Sequence, residues 1–294
     1  MKTKLVTSYY AFHGGEPFWG QMNRDQWYKY SLITLCGLGV EIVCYTDPGD
    51  MGHHQLQEIK EAFHLDNLTI KVYDIRNNPY QERVYNIRKN NAELYDNPAA
   101  IQHYTRSTQI YWMKFSFLEM EYEPNIQLYW IDCGLSHPGL FPSYSKDSTI
   151  IEHPEHRLYK DYAFTKAFTP EVLLKINSYA NDKIINLYRN TTDDNFHDFN
   201  RKMNINHDYN GVYVVAGFFG GNSSLMLKYI HEVKKIIETI LDSNNICTEQ
   251  EIMTYLNLTY SDWFMNYKFD TFYHEDWTNI FTPTMTSFSH FFLK

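Results

Sequence analysis

Short apolar runs alternate along this chain with longer stretches of helical spacing, and that alternation sets the fold class. Residues 4–9 (KLVTSY), 40–46 (VEIVCYT) and 68–75 (LTIKVYDI) are rich in β-branched and aromatic residues and read as strands. Between them, residues 24–37 place Trp27, Tyr30, Ile33 and Leu35 on one helical stripe that ends at Gly37, and residues 55–63 read as a second helix. Strand, helix, strand, helix, strand in succession predicts an α/β fold with a doubly wound, mostly parallel central sheet flanked by helices.

The pattern then changes. Residues 76–105 are polar and Asn-rich, consistent with a pair of short surface helices or an insertion. Residues 107–120 turn apolar on a helical face through Ile110, Met113, Phe117 and Leu118, with Ser107 placed as the N-cap. That helix leads into Leu128, Tyr129, Trp130 and Ile131, a run suited to a buried central strand. Further on, residues 171–189 read as an amphipathic helix behind Pro170, 191–208 as a polar loop, and 212–216 as a second buried strand that runs into a Gly217–Gly221 turn. Residues 223–241 are amphipathic through Met226, Ile230, Val233, Ile237 and Ile240. Thr248 with Glu249 and Glu251 opens one more helix, acids in its first turn. No Gly/Ser linker and no internal repeat divides the chain.

Composition narrows the function classes. Over 294 residues the net charge is −9 and no block of Lys and Arg stands out, which argues against a nucleic-acid partner. Aromatics make up 17%, tyrosine above all, which leans toward ligands that stack and hydrogen-bond, sugars or bases. Cys36, Cys44, Cys133 and Cys247 have no metal-ligand spacing and read as reduced core residues. No apolar run reaches the length of a transmembrane segment and no leader-like h-region opens the chain, so a soluble, cytoplasmic protein is expected. The sequons at Asn67, Asn190, Asn222 and Asn257 would then go unused.

Candidate chemistry collects at strand ends. The 128–131 run stops on Asp132, Cys133 and Gly134, placing a carboxylate where the strand emerges; it either meets a ligand or metal there or caps a turn. Ser8, Tyr9 and Tyr10 end the first strand and belong to the same sheet edge. Lys114 lies on the preceding helix, either as a snorkelling surface lysine or as a cation facing the crevice, where it would suit a diphosphate. Gly217, Phe218, Phe219, Gly220 and Gly221 read as a floor beneath a sugar, or as a strand-to-helix turn that needs glycine. His153 and His156 are three apart, but Pro154 and the flanking glutamates fit a solvated helix start better than a zinc site. The Gly14-Gly15 pair lacks the context of a dinucleotide or P-loop motif.

Taken in order, the Thr-Ser-Tyr-Tyr strand end, the lysine-bearing helix, WIDCGLSH, AGFFGG and TEQEIMTYL resemble the HtrL/YibB and WlaTC family of bacterial glycosyltransferases. More broadly they are similar to GT-A glycosyltransferases, in which an aspartate at the end of the fourth strand binds the metal and diphosphate of a nucleotide sugar. The resemblance spans roughly residues 4 to 260 and rests most on WIDCG.

It implies a single GT-A-like domain, with a Rossmann-like nucleotide-sugar half over residues 1–137 and an acceptor half over 138–294. The implied reaction moves a sugar from a nucleotide-sugar donor, UDP-sugar favoured over GDP-sugar, to a glycan, lipid-linked or protein acceptor with help from Mn²⁺ or Mg²⁺. Asp132 would hold the metal and diphosphate, with His274 preferred over His290 as its partner. Gly134 stands where the family of Asp-x-Asp enzymes has a second acid. Ser8, Tyr9 and Tyr10 would hold base and ribose, Lys114 the diphosphate, and residues 217–221 the sugar. Glu249, or Glu251, would be the acid near the acceptor hydroxyl. A non-catalytic sugar-binding protein on the same fold is the alternative, and a metal-dependent phosphohydrolase a more distant one.

Overall fold

The computed structural model describes residues 1–10, 17–19, 22–23, 32–33, 35–48, 51–94, 98–133, 170–190 and 212–268. Nine strands are present among them: β1 (Thr3–Tyr9), β2 (Pro17–Trp19), β3 (Met22–Asn23), β4 (Glu41–Thr46), β5 (Leu68–Val72), β6 (Gln127–Ile131), β7 (Ile184–Asn190), β8 (Val212–Asn222) and β9 (Phe264–Lys268). The helices are α1 (Met51–Ala62), α2 (Gln81–Asn90), α3 (Pro98–Met120), α4 (Pro170–Tyr179), α5 (Ser223–Asp242) and α6 (Glu249–Thr259). β2 and β3 pair with each other; the other seven form one sheet in the order β5-β4-β1-β6-β8-β7-β9. β5, β4, β1 and β6 run parallel, β8 is antiparallel to both its neighbours, and β9 is parallel to β7. The expected α/β class with a mostly parallel, helix-flanked sheet is therefore present. The sheet crosses residue 137, because β6 from the first part of the chain pairs with β8 from the second.

Alternation along the central strands builds two cores. Val6, Leu128 and Trp130 point into the layer formed with α2, α3, α5 and α6, whereas Leu5, Tyr129 and Ile131 point into the layer with α1 and α4. Both faces are covered, which is why β6 reads as an unbroken apolar run instead of an alternating one. Among the described residues no helix is long and apolar enough to cross a membrane.

Four boundaries differ from the sequence reading. The helix expected from residue 107 starts at Pro98, so Ser107 is interior to it. The single helix expected over 171–189 is α4 followed by β7, whose Ile-Ile pair joins the sheet between two neighbours. β9 lies in a segment for which no strand was expected. β8 does not stop at Ala216 but continues to Asn222. The polar stretch after residue 76 does contain short helices, α2 and two 3₁₀ turns, as one of its two readings had it. Most of the helix expected over 24–37 lies outside the described residues.

The extension of β8 explains its glycines. Gly220 has φ +149°, and a Cβ there would stand 2.3 Å from the Leu128 carbonyl oxygen and 2.6 Å from Tyr129 Cα. A Cβ on Gly221 would stand 2.3 Å from the carbonyl oxygen of Lys183. These two positions lack side chains so that neighbouring strands can close against them.

Candidate functional site

In the parallel half of the sheet the strand order reverses between β1 and β6, since β1 is followed outward by β4 and β5 while β6 leads the other way. A crevice forms outside the carboxyl ends of strands at such a switch point. β1 ends there with Ser8 and Tyr9, followed by Tyr10, and β6 ends with Ile131, followed by Asp132.

Asp132 follows Trp130 by two positions, so both share the face that carries α3 and α6. The Trp130 indole Nε1–H donates to Asp132 Oδ1 at 2.7 Å, and Lys114 Nζ lies 3.0 Å from the same oxygen. Asp132's own backbone N–H donates to the Gly217 carbonyl at 2.8 Å. The carboxylate is thus held by two groups through Oδ1 and the backbone by a third contact, yet the side chain is 43% exposed.

Lys114 itself is buried, its side chain 5% exposed. Its ammonium sits between Asp132 and Glu249 Oε1 (3.1 Å) and donates to the Ala216 carbonyl at 3.2 Å. An ammonium has three N–H donors, and these three acceptors use them. The ring of Trp130 at 5.5 Å and that of Tyr111 at 5.9 Å flank it. Burial by itself would lower the lysine's pKa, but the Asp132 and Glu249 carboxylates more than reverse this and raise it.

Glu249 is 6% exposed and opens α6, where the helix N-terminus favours its charge. Glu251, its alternative, closes a capping box by accepting from the Thr248 backbone N–H. Of the two acids, Glu249 therefore belongs to the site and Glu251 to the helix start. Glu249 reaches Lys114 rather than the crevice mouth.

A bulge in β8 supplies the two carbonyls. Asn186 of β7 pairs with Phe219, but the next residue, Leu187, pairs with Val215, so residues 216–218 have no β7 partner. The released carbonyls of Ala216 and Gly217 accept from Lys114 and from the Asp132 backbone.

The remaining expected site residues divide. Gly217 is at the site. Phe218 and Phe219 are fully buried, one in each core, with Phe218 stacked on Tyr129 and Phe219 packed with Phe115 and Tyr229. Gly220 and Gly221 pair with Tyr129 and Leu128, toward the opposite end of β6 from Asp132. The antiparallel run of β8 carries them away. Tyr9 and Tyr10 are also buried; Tyr10 stacks on Phe117 and donates its hydroxyl to the Tyr73 carbonyl at 3.2 Å, and burial raises its pKa. Ser8 is half-buried at the strand end. Gly134, His153, His156, His274 and His290 lie outside the described residues.

Two contributors were not anticipated. Trp130 could have been found from its i, i+2 relation to Asp132. Arg106, two helical turns before Lys114 on α3, pairs with Asp47 at the end of β4 (2.6 Å), and nothing local in the sequence announces it. The described residues contain no group of three or more His, Cys, Asp and Glu arranged to hold a metal.

Compared with known proteins, the chain matches no family model and no curated protein.

Proposed function

We propose that the protein is a glycosyltransferase acting from a nucleotide-sugar donor on a hydroxyl acceptor, on a GT-A-like fold. One observation carries the reading: a partly exposed aspartate, held through one oxygen by Trp130 and Lys114, stands immediately after the fourth strand of the main sheet in chain order, beside the switch point. That is the place which the resemblance gives to the donor-binding acid, and a lysine helix precedes it as the resemblance requires.

Asp132 is the group that meets the ligand. Lys114 and Trp130 fix its orientation, and Glu249 fixes Lys114 from behind; both Lys114 and Glu249 act as positioning residues. This assigns Glu249 a different task from proton removal at the acceptor, because its nearer oxygen is engaged and its side chain is buried. In the reaction the anomeric carbon exchanges its bond to the diphosphate oxygen for one to the acceptor oxygen, the acceptor hydroxyl loses its proton, and the nucleoside diphosphate departs. Divalent-ion assistance was implied by the resemblance. The described residues do not by themselves compose such a site: no three His, Cys, Asp or Glu among them converge on one point, and the Asp132 carboxylate already has an ammonium beside it.

The test is turnover of a panel of UDP-, GDP-, CMP- and dTDP-sugars, scored as release of free nucleotide with and without Mn²⁺. Release from one donor, abolished in Asp132→Ala with an unchanged circular-dichroism spectrum, is the expected result. Sugar or nucleotide binding without turnover of any donor would point to the binding-protein alternative.

A further inference from the structure

The aromatic side chains expected to meet a sugar or a base are closed to one. Phe218 and Phe219 are each 0% exposed, Tyr9 1% and Tyr10 4%. Two other rings flank the Lys114 ammonium, those of Trp130 and Tyr111. Trp130 is buried and donates to Asp132, whereas Tyr111 is 38% exposed. Of the described rings beside the Lys114–Asp132 pair, Tyr111 is therefore the one that solvent reaches.

The direction of α3 puts that ring at the crevice. Lys114 stands at the carboxyl end of β6, and Glu121, further along the same stretch of chain, reaches Lys4 near the start of β1. The helix thus descends toward the amino edge of the sheet, and the part ahead of Lys114, about 24 Å from Pro98 to Met113, extends beyond the carboxyl edge. Tyr111 comes three residues before Lys114, on the same helical face and one turn further out. Its ring centre lies 5.9 Å from Lys114 Nζ, and Nζ lies 3.0 Å from Asp132 Oδ1, so ring centre and carboxylate oxygen are at most about 9 Å apart. Glu249 of α6 and the Ala216 carbonyl of β8 meet the same ammonium, so the ring belongs to that side of the site, while Arg106 turns to Asp47 at the end of β4.

We propose that Tyr111 carries the hexose of the donor, its ring against the C–H face of the sugar while a sugar hydroxyl donates to Asp132. The proposal rests on the nucleotide-sugar reading above and names the part of the donor that this strand end recognises. A tyrosine ring offers a large, rigid apolar face, and a hexose has the matching form, a face of C–H groups edged by hydroxyls. A ring fixed on a helix one turn from the aspartate holds the two contacts in register.

Isothermal titration of the full chain in Mn²⁺ with UDP-glucose, UDP-galactose, UDP-N-acetylglucosamine and GDP-mannose, alongside UDP and GDP, tests this. The expected result is that Tyr111→Ala weakens the donor that binds by about tenfold and its nucleoside diphosphate by less than about twofold, with Tyr111→Phe within about twofold of the parent for both. Donor binding that Tyr111→Ala leaves unchanged overturns the proposal and leaves the nucleotide-sugar reading standing. So does an equal loss for donor and diphosphate, which would assign the ring to the nucleotide, or an equal loss in the Phe and Ala variants, which would assign the contact to the hydroxyl. A parent chain that binds none of the four donors overturns the nucleotide-sugar reading and the proposal with it. In the unsubstituted chain, tetranitromethane should nitrate Tyr111 more slowly once the donor is bound and at an unchanged rate with the diphosphate alone, read by peptide mass against Tyr104, which is 49% exposed and two turns further out. Nitration of Tyr111 that the bound donor does not slow overturns the proposal whether or not the variants fold.

Discussion

Lys114 shows how one buried charge organises a strand end. Its ammonium is surrounded by two carboxylate oxygens and a carbonyl oxygen at 3.0 to 3.2 Å, with aromatic rings on its flanks. Removing water from such a cation is costly, and the carboxylates offset that cost only while both stay in place. Methionine at this position would keep the length and lose the charge, leaving Glu249 buried without a counter-ion beside a partly solvated Asp132. Breaking a buried pair in this way costs about 3–5 kcal/mol, and the exposure of Asp132 puts Lys114→Met near the lower end. Urea denaturation should show a lowered midpoint with an unchanged slope. Adding Glu249→Leu to Lys114→Met should recover part of the loss, since it removes the uncompensated buried acid. An unchanged midpoint in the single variant would mean that the lysine does not bridge the two acids in solution.

At the scale of elements, α3 links two ends of the sheet. Near its N-terminal half Arg106 meets Asp47, further along Lys114 meets Asp132, and just past its end Glu121 is buried under the β1 side of the sheet. Glu121 accepts from the Tyr45 hydroxyl and from Lys71, both at 2.5 Å, and from Lys4 at 3.3 Å. Burial pushes its carboxyl up, but Lys71, Tyr45 and Lys4 outweigh this and hold it below the ordinary glutamate value of 4.5. A carboxyl depressed in the folded state contributes stability that is complete above its unfolded value and disappears as pH falls through the folded one. Glu121→Gln should therefore lower the melting temperature at neutral pH, and the gap between variant and parent should close on acidification below about 4.5, as melting curves across a pH series would record. A gap that stays constant with pH would assign the effect to packing alone.

The same scale shows what was legible beforehand. Strands β1, β4 and β6 could be read from their own residues, because both faces of each are buried and the runs are continuous, and the edge strand β5 from its β-branched residues although it is only partly buried. Asp132, Lys114 and Glu249, which lie 18 and 117 residues apart along the chain (132 − 114 and 249 − 132), were each singled out, and the fold brings them together. Their arrangement was not legible. Whether a lysine points at a ligand or is closed in behind an aspartate depends on α6 and on the β8 bulge, both of which arrive from remote sequence. The Phe218–Gly221 segment misled for a related reason: glycine pairs signal close backbone approach, but whether the approaching group is a ligand or the next strand is decided by pairing.

For the whole molecule, the consequential feature is that the sheet is not divided where the functional halves were expected to meet. β6 is flanked by β1 on one side and β8 on the other, so the strand that carries Asp132 has one neighbour from each part of the chain. The core above it is equally shared: Trp130 and Phe115 pack in one layer with Phe219, Tyr229, Ile237 and Ile252. A fragment of residues 1–137 would expose one edge of β6 together with the apolar face of α3, and it would leave Lys114 beside Asp132 without Glu249 or the Ala216 carbonyl. The buried apolar side chains supplied by α5 and α6 each contribute about 1.5–3 kcal/mol, and their combined loss exceeds the 5–15 kcal/mol by which a domain is ordinarily stable. Residues 1–137 expressed alone should therefore lack a cooperative melting transition, while the full chain should unfold in one step with tryptophan fluorescence and far-UV circular dichroism following the same curve. A fragment that melts cooperatively, or two separated transitions in the full chain, would show that residues 1–137 hold together without the strand and helices that close over Asp132.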